Sequence, residues 1–352
     1  MEECNLSTTL SSYCKEKKKS SNILFLLFLA FVLTVCVNVG SVSANTDDSD
    51  KLYVIKKDGK YGYIDENSNL VIKPAFLQAK EFAEGVAPVK LQEGVWAIID
   101  TKGKIVGAWK NVDEINAFSE GLAVVRKGAK YGYIGKNQLV TPLKFDDAND
   151  FSEGLAVVAI REGNTIMEKL HNIKYGYIDK SGEVVIDCQF KSAGNFKEGV
   201  APVATMDLKW GYIDKTGQYV IEPKYFTARE FSEGLAPVTV TFGKSGFINH
   251  EGNFVIPPQY SWTYSFSDGL ARVKVGEKIQ VNPFKVIDGG KYGFIDKSGK
   301  MVISPEFKYV DDFKNGLARI YNQSPGFGED KYQGIGFGYI DKNGSVRWQL
   351  SE

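Results

Sequence analysis

A carboxylate stands directly before a glycine at Glu84, Glu120, Glu153, Glu198, Glu233 and Asp268, with Asn315 in a seventh slot. Such groups do general acid–base work when two of them share one place in two different environments. Here they come singly, 33 to 47 residues apart, a cadence that predicts structural turn residues. A second set of acids, Asp179, Asp214, Asp296 and Asp341, each stands three residues before a glycine. A calcium loop would add further acidic ligands that these segments lack, so they read as turns. His171 and His250 lie in different segments, and no His/Cys/Asp group has metal-ligand spacing. Cys188, in the strand-like run VVIDCQF, reads as a small packed residue rather than a nucleophile. Neither a G-x-S-x-G elbow nor a phosphate or dinucleotide loop is present. The expectation is a non-enzyme with no catalytic residue, metal or cofactor.

The elements that hold these residues repeat. A first string appears as KYGYID (60–65), VWAIID (95–100), KYGYIG (130–135), KYGYID (174–179), KWGYID (209–214), KSGFIN (244–249), KYGFID (291–296) and GFGYID (336–341). A second, FSEGLAxV in outline, runs from FAEGVAPV (82–89) to FKNGLARI (313–320). A third appears as VIKPAF (71–76), VIEPKY (220–225) and VISPEF (302–307). From the glycine of the first string to that of the next second string is always 22 to 24 residues. The return step is 11 or 12 residues in four cases and 22 to 24 in three. All length variation therefore falls in one connection, and it gives extensions at 159–173, 274–290 and 321–336.

Alternation and β-branching make each string a strand. We term them A (LAPV), B (YGYID) and C (VIKP). Asp and Gly three apart join B to C through a tight turn. Little helix is expected, because no stretch carries a capped 3.6-residue period. The glycine inside strand B predicts close approach of another backbone. The aromatic before it (Tyr61, Trp96, Tyr131, Tyr175, Trp210, Tyr292, Phe337) and the phenylalanines Phe82, Phe118, Phe151, Phe196, Phe231, Phe266 and Phe313 are expected to fill a core between units. Pro88, Pro202 and Pro237 cannot donate to a ladder, so the far side of A should be unpaired there.

The KWGYIDKxG and FSEGLAxV strings resemble the WG-repeat (KWG) family of β-rich bacterial repeats across residues 52–350. Ala97 in place of the glycine and Ser245 in place of the aromatic depart from the pattern, so those units should pack differently. The resemblance implies exported or surface-associated interaction modules and supplies no catalytic residue.

The expected fold is all-β, a tandem array of eight three-stranded antiparallel meanders starting near 52, 85, 121, 154, 199, 234, 269 and 316. An open, solenoid-like stack is the first expectation, and an eight-bladed propeller-like toroid is the alternative. The function expected is a binding scaffold that engages a protein through the extended hairpins. The alternative is a carbohydrate or cell-wall binder using the repeated aromatics. Candidate ligand contacts are Trp210 for the second reading and Tyr321, Phe327 and Tyr332, from a Tyr/Phe/Gly-rich extension, for the first.

Residues 1–44 read as an address. Lys15, Lys17, Lys18 and Lys19 precede the apolar run 23–37, and Val42-Ser43-Ala44 offers small residues for cleavage before Asn45. Fifteen apolar residues suit a signal peptide better than a span of about 20. The alternative is a membrane anchor through 23–39. A short linker, 45–51, then leads to the repeats at 52–352, which are expected to be secreted or on the cell surface. The chain balances 43 Lys+Arg with 43 Asp+Glu, and removing 1–44 leaves 39 against 40 and one cysteine, Cys188. That balance argues against phosphate neutralisation of nucleic acid, and no internal disulfide can form in the remainder.

Overall fold

The computed structural model describes residues 52–348, apart from 66, 68, 164, 166–171, 277, 283–284, 289 and 322–336. Among the described residues there are strands and turns but no helix. None is therefore a helix long and apolar enough to cross a membrane. The chain divides into two compact units, one of residues up to 154 with 180–183, the other of 155–179 with 184 onward. Three A–B–C meanders lie in the first unit and five in the second.

The A–B ladder is regular over its length in most meanders, as in Ala201↔Ile213 through Ala204↔Trp210, and shifts register only next to the turn at Lys90/Gln92 and Thr239/Thr241. The B–C ladder is bulged: Trp210 faces Tyr225, yet Tyr212 faces Ile221. The extra residues of C press onto B at the glycine. A Cβ on Gly211 would sit 2.5 Å from the Ile221 carbonyl oxygen and 2.8 Å from the Pro223 nitrogen. The same encounter recurs at Gly62, Gly176, Gly246 and Gly293, so the expected close backbone approach is found. Where Ala97 replaces the glycine, the ladder changes as expected. It runs Ala97↔Ala108 and Ile98↔Gly107, and the glycine has moved to the facing strand. At the other departure Ser245 is fully buried and shares a 2.8 Å hydrogen bond with Thr239.

Two expectations are corrected. A short leading strand precedes A and pairs with it, as at Gln78–Ala79, Glu114–Ile115, Ser192–Ala193 and Thr227–Ala228. The far side of A is thus paired even beside proline. The leading strand uses the proline carbonyl and needs no N–H: Lys80, Gly194 and Arg229 donate to Pro88, Pro202 and Pro237. The order leading–A–B–C, with every ladder closed inside its own sheet, makes these sheets blades of the β-propeller kind rather than turns of an open, solenoid-like stack. Burial follows the order. Strand Ala201–Ala204 is buried throughout, whereas strand Tyr219–Tyr225 exposes Tyr219 and Val220.

The core is also re-assigned. The aromatic before the strand-B glycine is mostly half-buried, with Trp96 the buried exception. The aromatic after it fills the core: Tyr63, Tyr133, Tyr177, Tyr212, Phe247 and Phe294 are inaccessible. Each meets the phenylalanine of the next FSEG string, as in Tyr212–Phe231 at 5.0 Å and Phe294–Phe313 at 4.7 Å. Such edge contacts add about 0.5–1.5 kcal/mol each beyond area burial. The tyrosine hydroxyls donate to backbone carbonyls: Tyr63 to Lys80, Tyr133 to Asn149, Tyr177 to Gly194 and Tyr212 to Arg229, at 2.7–2.8 Å. The core tyrosine therefore fixes the residues that follow the leading strand. Burial pushes the phenols at 63, 133, 177 and 212 well above their ordinary range.

Candidate functional site

The recurrent carboxylates are latches. Glu84, Glu120, Glu153, Glu198, Glu233 and Asp268 all adopt φ of 54–57°, a left-handed turn from which the side chains of Glu84, Glu120, Glu198, Glu233 and Asp268 reach the next FSEG glycine. Glu84 accepts from Gly121 N–H at 2.8 Å, Glu120 from Gly154 at 2.9 Å, Glu233 from Gly269 at 3.0 Å and Asp268 from Gly316 at 2.7 Å. The neighbouring serines Ser119, Ser232 and Ser267 donate to the carbonyls of Phe151, Phe266 and Phe313. Lys180 adds an ion pair to Glu120, and Lys297 adds one to Glu233, both at 3.1 Å. Burial pushes the Glu120 carboxyl up, but Lys180 and the Gly154 amide outweigh it and hold the group low. These acids join successive sheets, as their cadence predicted.

The turn aspartates also behave as expected. Asp214 accepts from the amides of Thr216 and Gln218 at 2.9 and 3.1 Å, and Gly217 N–H closes the turn on the Asp214 carbonyl. Cys188 is half-buried with its Sγ 3.9 Å from the Val158 carbonyl, and burial pushes its thiol up to about 11. It is a packed thiol with little thiolate character. Among the described residues no group of three or more His, Cys, Asp or Glu is placed to hold a metal ion.

What the repeat does not explain is the chemistry that changes from sheet to sheet. The position two before the core phenylalanine holds Lys80, Asn116, Asn149, Gly194, Arg229, Tyr264 and Asp311 in turn. In the first unit the cation at this position is paired by a neighbouring carboxylate. Lys80 pairs with Glu114 at 2.9 Å, and Arg126 reaches Glu114 at 3.4 Å and Asp113 at 3.5 Å. Burial pushes Glu114 up, yet Lys80 and Arg126 overcome it and hold the carboxyl low.

In the second unit the same edge is aromatic and cationic. The leading strand Trp262–Ser267 is six residues long instead of two, and Arg272 stands where strand A elsewhere carries Pro88, Pro202 or Pro237. Arg229 lies over Trp262 and Tyr264, 5.7 and 5.1 Å from the ring centroids. Arg272 lies 3.7 Å over Tyr264 and 5.2 Å from Tyr292. Cation–π contacts contribute about 0.5–1 kcal/mol at an exposed site such as Arg229 and about 2 kcal/mol where the cation is desolvated. Arg272 also pairs with Asp312 at 3.0 Å, while burial and the nearby Asp311 raise the Asp312 carboxyl. Arg229 is exposed, and among the described residues no carboxylate forms an ion pair with it.

The A–B turns differ in the same sense. The first unit makes them with Asp58-Gly59, Glu93-Gly94 and Gly128-Ala129. In the second unit they carry Met206, Leu208 and Phe242, which are 52%, 59% and 63% exposed. Leu208 holds φ 64°, an unusual conformation for a bulky side chain. Its amide donates to the Thr205 carbonyl at 2.9 Å, and Thr205 Oγ1 lies 3.1 Å from the Lys209 carbonyl oxygen. The extension at 274–290 forms a hairpin of its own, Lys278–Asn282 with Lys285–Asp288.

The four sequence candidates are not brought together by the described residues. Trp210 is half-buried against the core around Tyr212 and Tyr225. Tyr321 is 7% exposed at the end of strand Leu317–Tyr321, in another sheet, and its hydroxyl bonds Asp311. Phe327 and Tyr332 lie outside the described residues, as does most of their extension. The Arg229–Tyr264–Arg272 edge was missed. Its signal in the sequence is the arginine at 272, in a slot that holds proline or valine in the five preceding strings.

The family model described as the WG containing repeat matches residues 61–96, 96–131, 132–162, 175–205, 210–240, 246–278 and 292–322. The chain belongs to this family. Each WG-repeat match begins at or near strand B, so the blade frame and the sequence repeat coincide. No curated protein matches the sequence. Among solved structures, the computationally designed Ika8 protein is 12% identical, with a TM-score of 0.45, over 88% of this chain and 95% of its own. AztD from Citrobacter koseri is 10% identical, with a TM-score of 0.44, over 86% and 93%. BamB from Moraxella catarrhalis is 10% identical, with a TM-score of 0.43, over 87% and 98%. Likenesses of this size carry no argument about function.

Proposed function

We propose that this WG-repeat protein is a non-enzymatic binding scaffold that works outside the cytoplasm. Its docking surface is the A–B turn end of the second unit. The observation that carries the reading is the exposure of Met206, Leu208 and Phe242 on turns whose first-unit counterparts are short and polar. Loops held on a rigid scaffold are where binding residues concentrate, and apolar side chains exposed together mark interaction surfaces. Engagement of the recurrent carboxylates by backbone amides supports a structural rather than an acid–base use of them. The segment 1–44, with its basic start and apolar run 23–37, supports export. The half-buried setting of Trp210 against the core makes a glycan platform at that residue the weaker reading.

The test is a photo-crosslinking side chain placed at residue 206 or 242, and in parallel at 58 or 93, in cells that produce the protein. Adducts from 206 and 242 but not from 58 and 93 are expected. Adducts from the first-unit turns alone, or none from any position, contradict the reading. Sequencing the N-terminus of the recovered protein tests export in the same sample, with a start at Asn45 expected.

A further inference from the structure

We infer that the Arg229 guanidinium, held by Trp262 and Tyr264, is an anchor for a side-chain or terminal carboxylate of an acidic peptide segment. The inference rests on the proposed docking surface and names the chemistry of its partner.

Four observations carry it. First, Arg229 has five N–H donors in a planar fork and no ion-paired carboxylate among the described residues, although Asp312 feels its charge at a distance. A fork of that kind matches a carboxylate through two parallel hydrogen bonds. Secondly, the guanidinium is already positioned. It stands over two half-buried rings, and its backbone amide donates to the Pro237 carbonyl at 3.2 Å while its carbonyl accepts from Tyr212 at 2.8 Å. Little side-chain freedom remains to be lost on binding. The second arginine, Arg272, is engaged by Asp312 and by the Val310 carbonyl, so it braces Tyr264 and leaves Arg229 as the open donor.

Thirdly, the sign and size of the local charge select the anion. Asp312 feels the charges of Arg229, Arg272 and Asp311 and is already raised by burial. A single open guanidinium whose field already reaches a buried acid tolerates a monoanion better than a doubly charged phosphate. Fourthly, the surroundings suit a polypeptide. Phe226, 49% exposed, lies three residues before Arg229 on the same chain segment, about 10 Å away at strand rise. Phe226 N–H bonds the Thr239 carbonyl at 2.8 Å, next to the turn that carries Phe242. Apolar side chains flanking an acidic residue would meet these rings, and the aliphatic Met206 and Leu208 exposed on another turn of this unit suit a polypeptide better than a sugar chain.

The experiment is an array of immobilised peptides varied at acidic and apolar positions, probed with the full chain. Arg229→Gln, Arg229→Lys and, as a surface control, Lys224→Gln are probed alongside, each checked for an unchanged melting temperature. Expected is enrichment of Asp or Glu among bound peptides. Binding should fall at least tenfold in Arg229→Gln, fall partly in Arg229→Lys and stay unchanged in Lys224→Gln. Acetate should compete at lower concentration than inorganic phosphate. Peptides bound without acidic enrichment, but lost on Phe242→Ser, overturn this inference and leave the docking surface standing. No bound peptide overturns both. Displacement by oligogalacturonate at concentrations matching the best peptide, or stronger competition by phosphate, also overturns the inference.

Discussion

The two units share one frame and differ in what they show to solvent. Both set a strand-B glycine under a bulged strand C and stack a core tyrosine on the next phenylalanine, as in Tyr133–Phe151 and Tyr212–Phe231. Both also latch sheet to sheet through a left-handed carboxylate residue. Yet the first unit closes its A–B turns with Asp58-Gly59 and Glu93-Gly94 and pairs its edge charges, whereas the second exposes Met206, Leu208 and Phe242 and leaves Arg229 open. A repeat protein can copy its scaffold and still confine function to one part, because the copied residues are those whose packing is fixed by neighbours. The residues free to vary are the turn tips and the leading edge.

The comparison can be broken first at the frame. Gly211→Ala and Gly132→Ala should each destabilise the protein by about 3 kcal/mol, since the new Cβ would stand within 2.5–2.9 Å of backbone atoms. Denaturant unfolding would show it. A large loss in one unit and none in the other would mean that the bulge is not a common device. Next come Tyr212→Phe and Tyr133→Phe. Each deprives a backbone carbonyl of its partner, of Arg229 or of Asn149, and should cost about 1–2 kcal/mol in the same assay.

The turns offer a change of the opposite sign. Leu208→Gly should stabilise the second unit by about 1 kcal/mol, because glycine takes φ 64° without the Cβ clash. It should weaken partner capture at the same time. A stabilised variant with undiminished capture would leave the strained leucine without a binding role. The smallest effect concerns pH. The Glu120 carboxyl is held low by Lys180 and the Gly154 amide against burial. Its contribution is therefore present above the unfolded value, about 4.3, and is lost as pH falls through the lower folded value. In Glu120→Gln, unfolding midpoints between pH 5 and 3 should fall less steeply than in the parent. An identical slope would remove the latch from the acid dependence.

Most of the frame was legible in the sequence, because three strings recur with fixed spacing and each position has one physical task. The strand-B glycine, the FSEG phenylalanine and the turn aspartate all do what their types and places imply. Other features were not legible, for identifiable reasons. The leading strand is mostly two residues long and carries no alternation to detect. The aromatic column was assigned to Tyr61 and its equivalents because both tyrosines of YGY share a face, and only the bulge decides that Tyr63 goes inward. A string shows which strands are neighbours in sequence, not that each ladder closes within its own sheet, so the propeller stands in the sequence only as the alternative to an open stack. At the candidate site, Tyr321 stands out in the sequence because it opens a long extension, yet it is largely buried. The informative signal is smaller: Arg272 and Arg319 in a string where proline or valine stands elsewhere.

The most direct test of a shared frame with a one-sided surface is a turn exchange. The Lys57–Lys60 turn (KDGK) would replace both the 205–209 turn and the 241–244 turn, and capture would be measured on the peptide array. The account predicts a chain that unfolds within about 1 kcal/mol of the parent, since the turns carry little of the packing, and that has lost its bound peptides. Undiminished capture by the exchanged chain would contradict it.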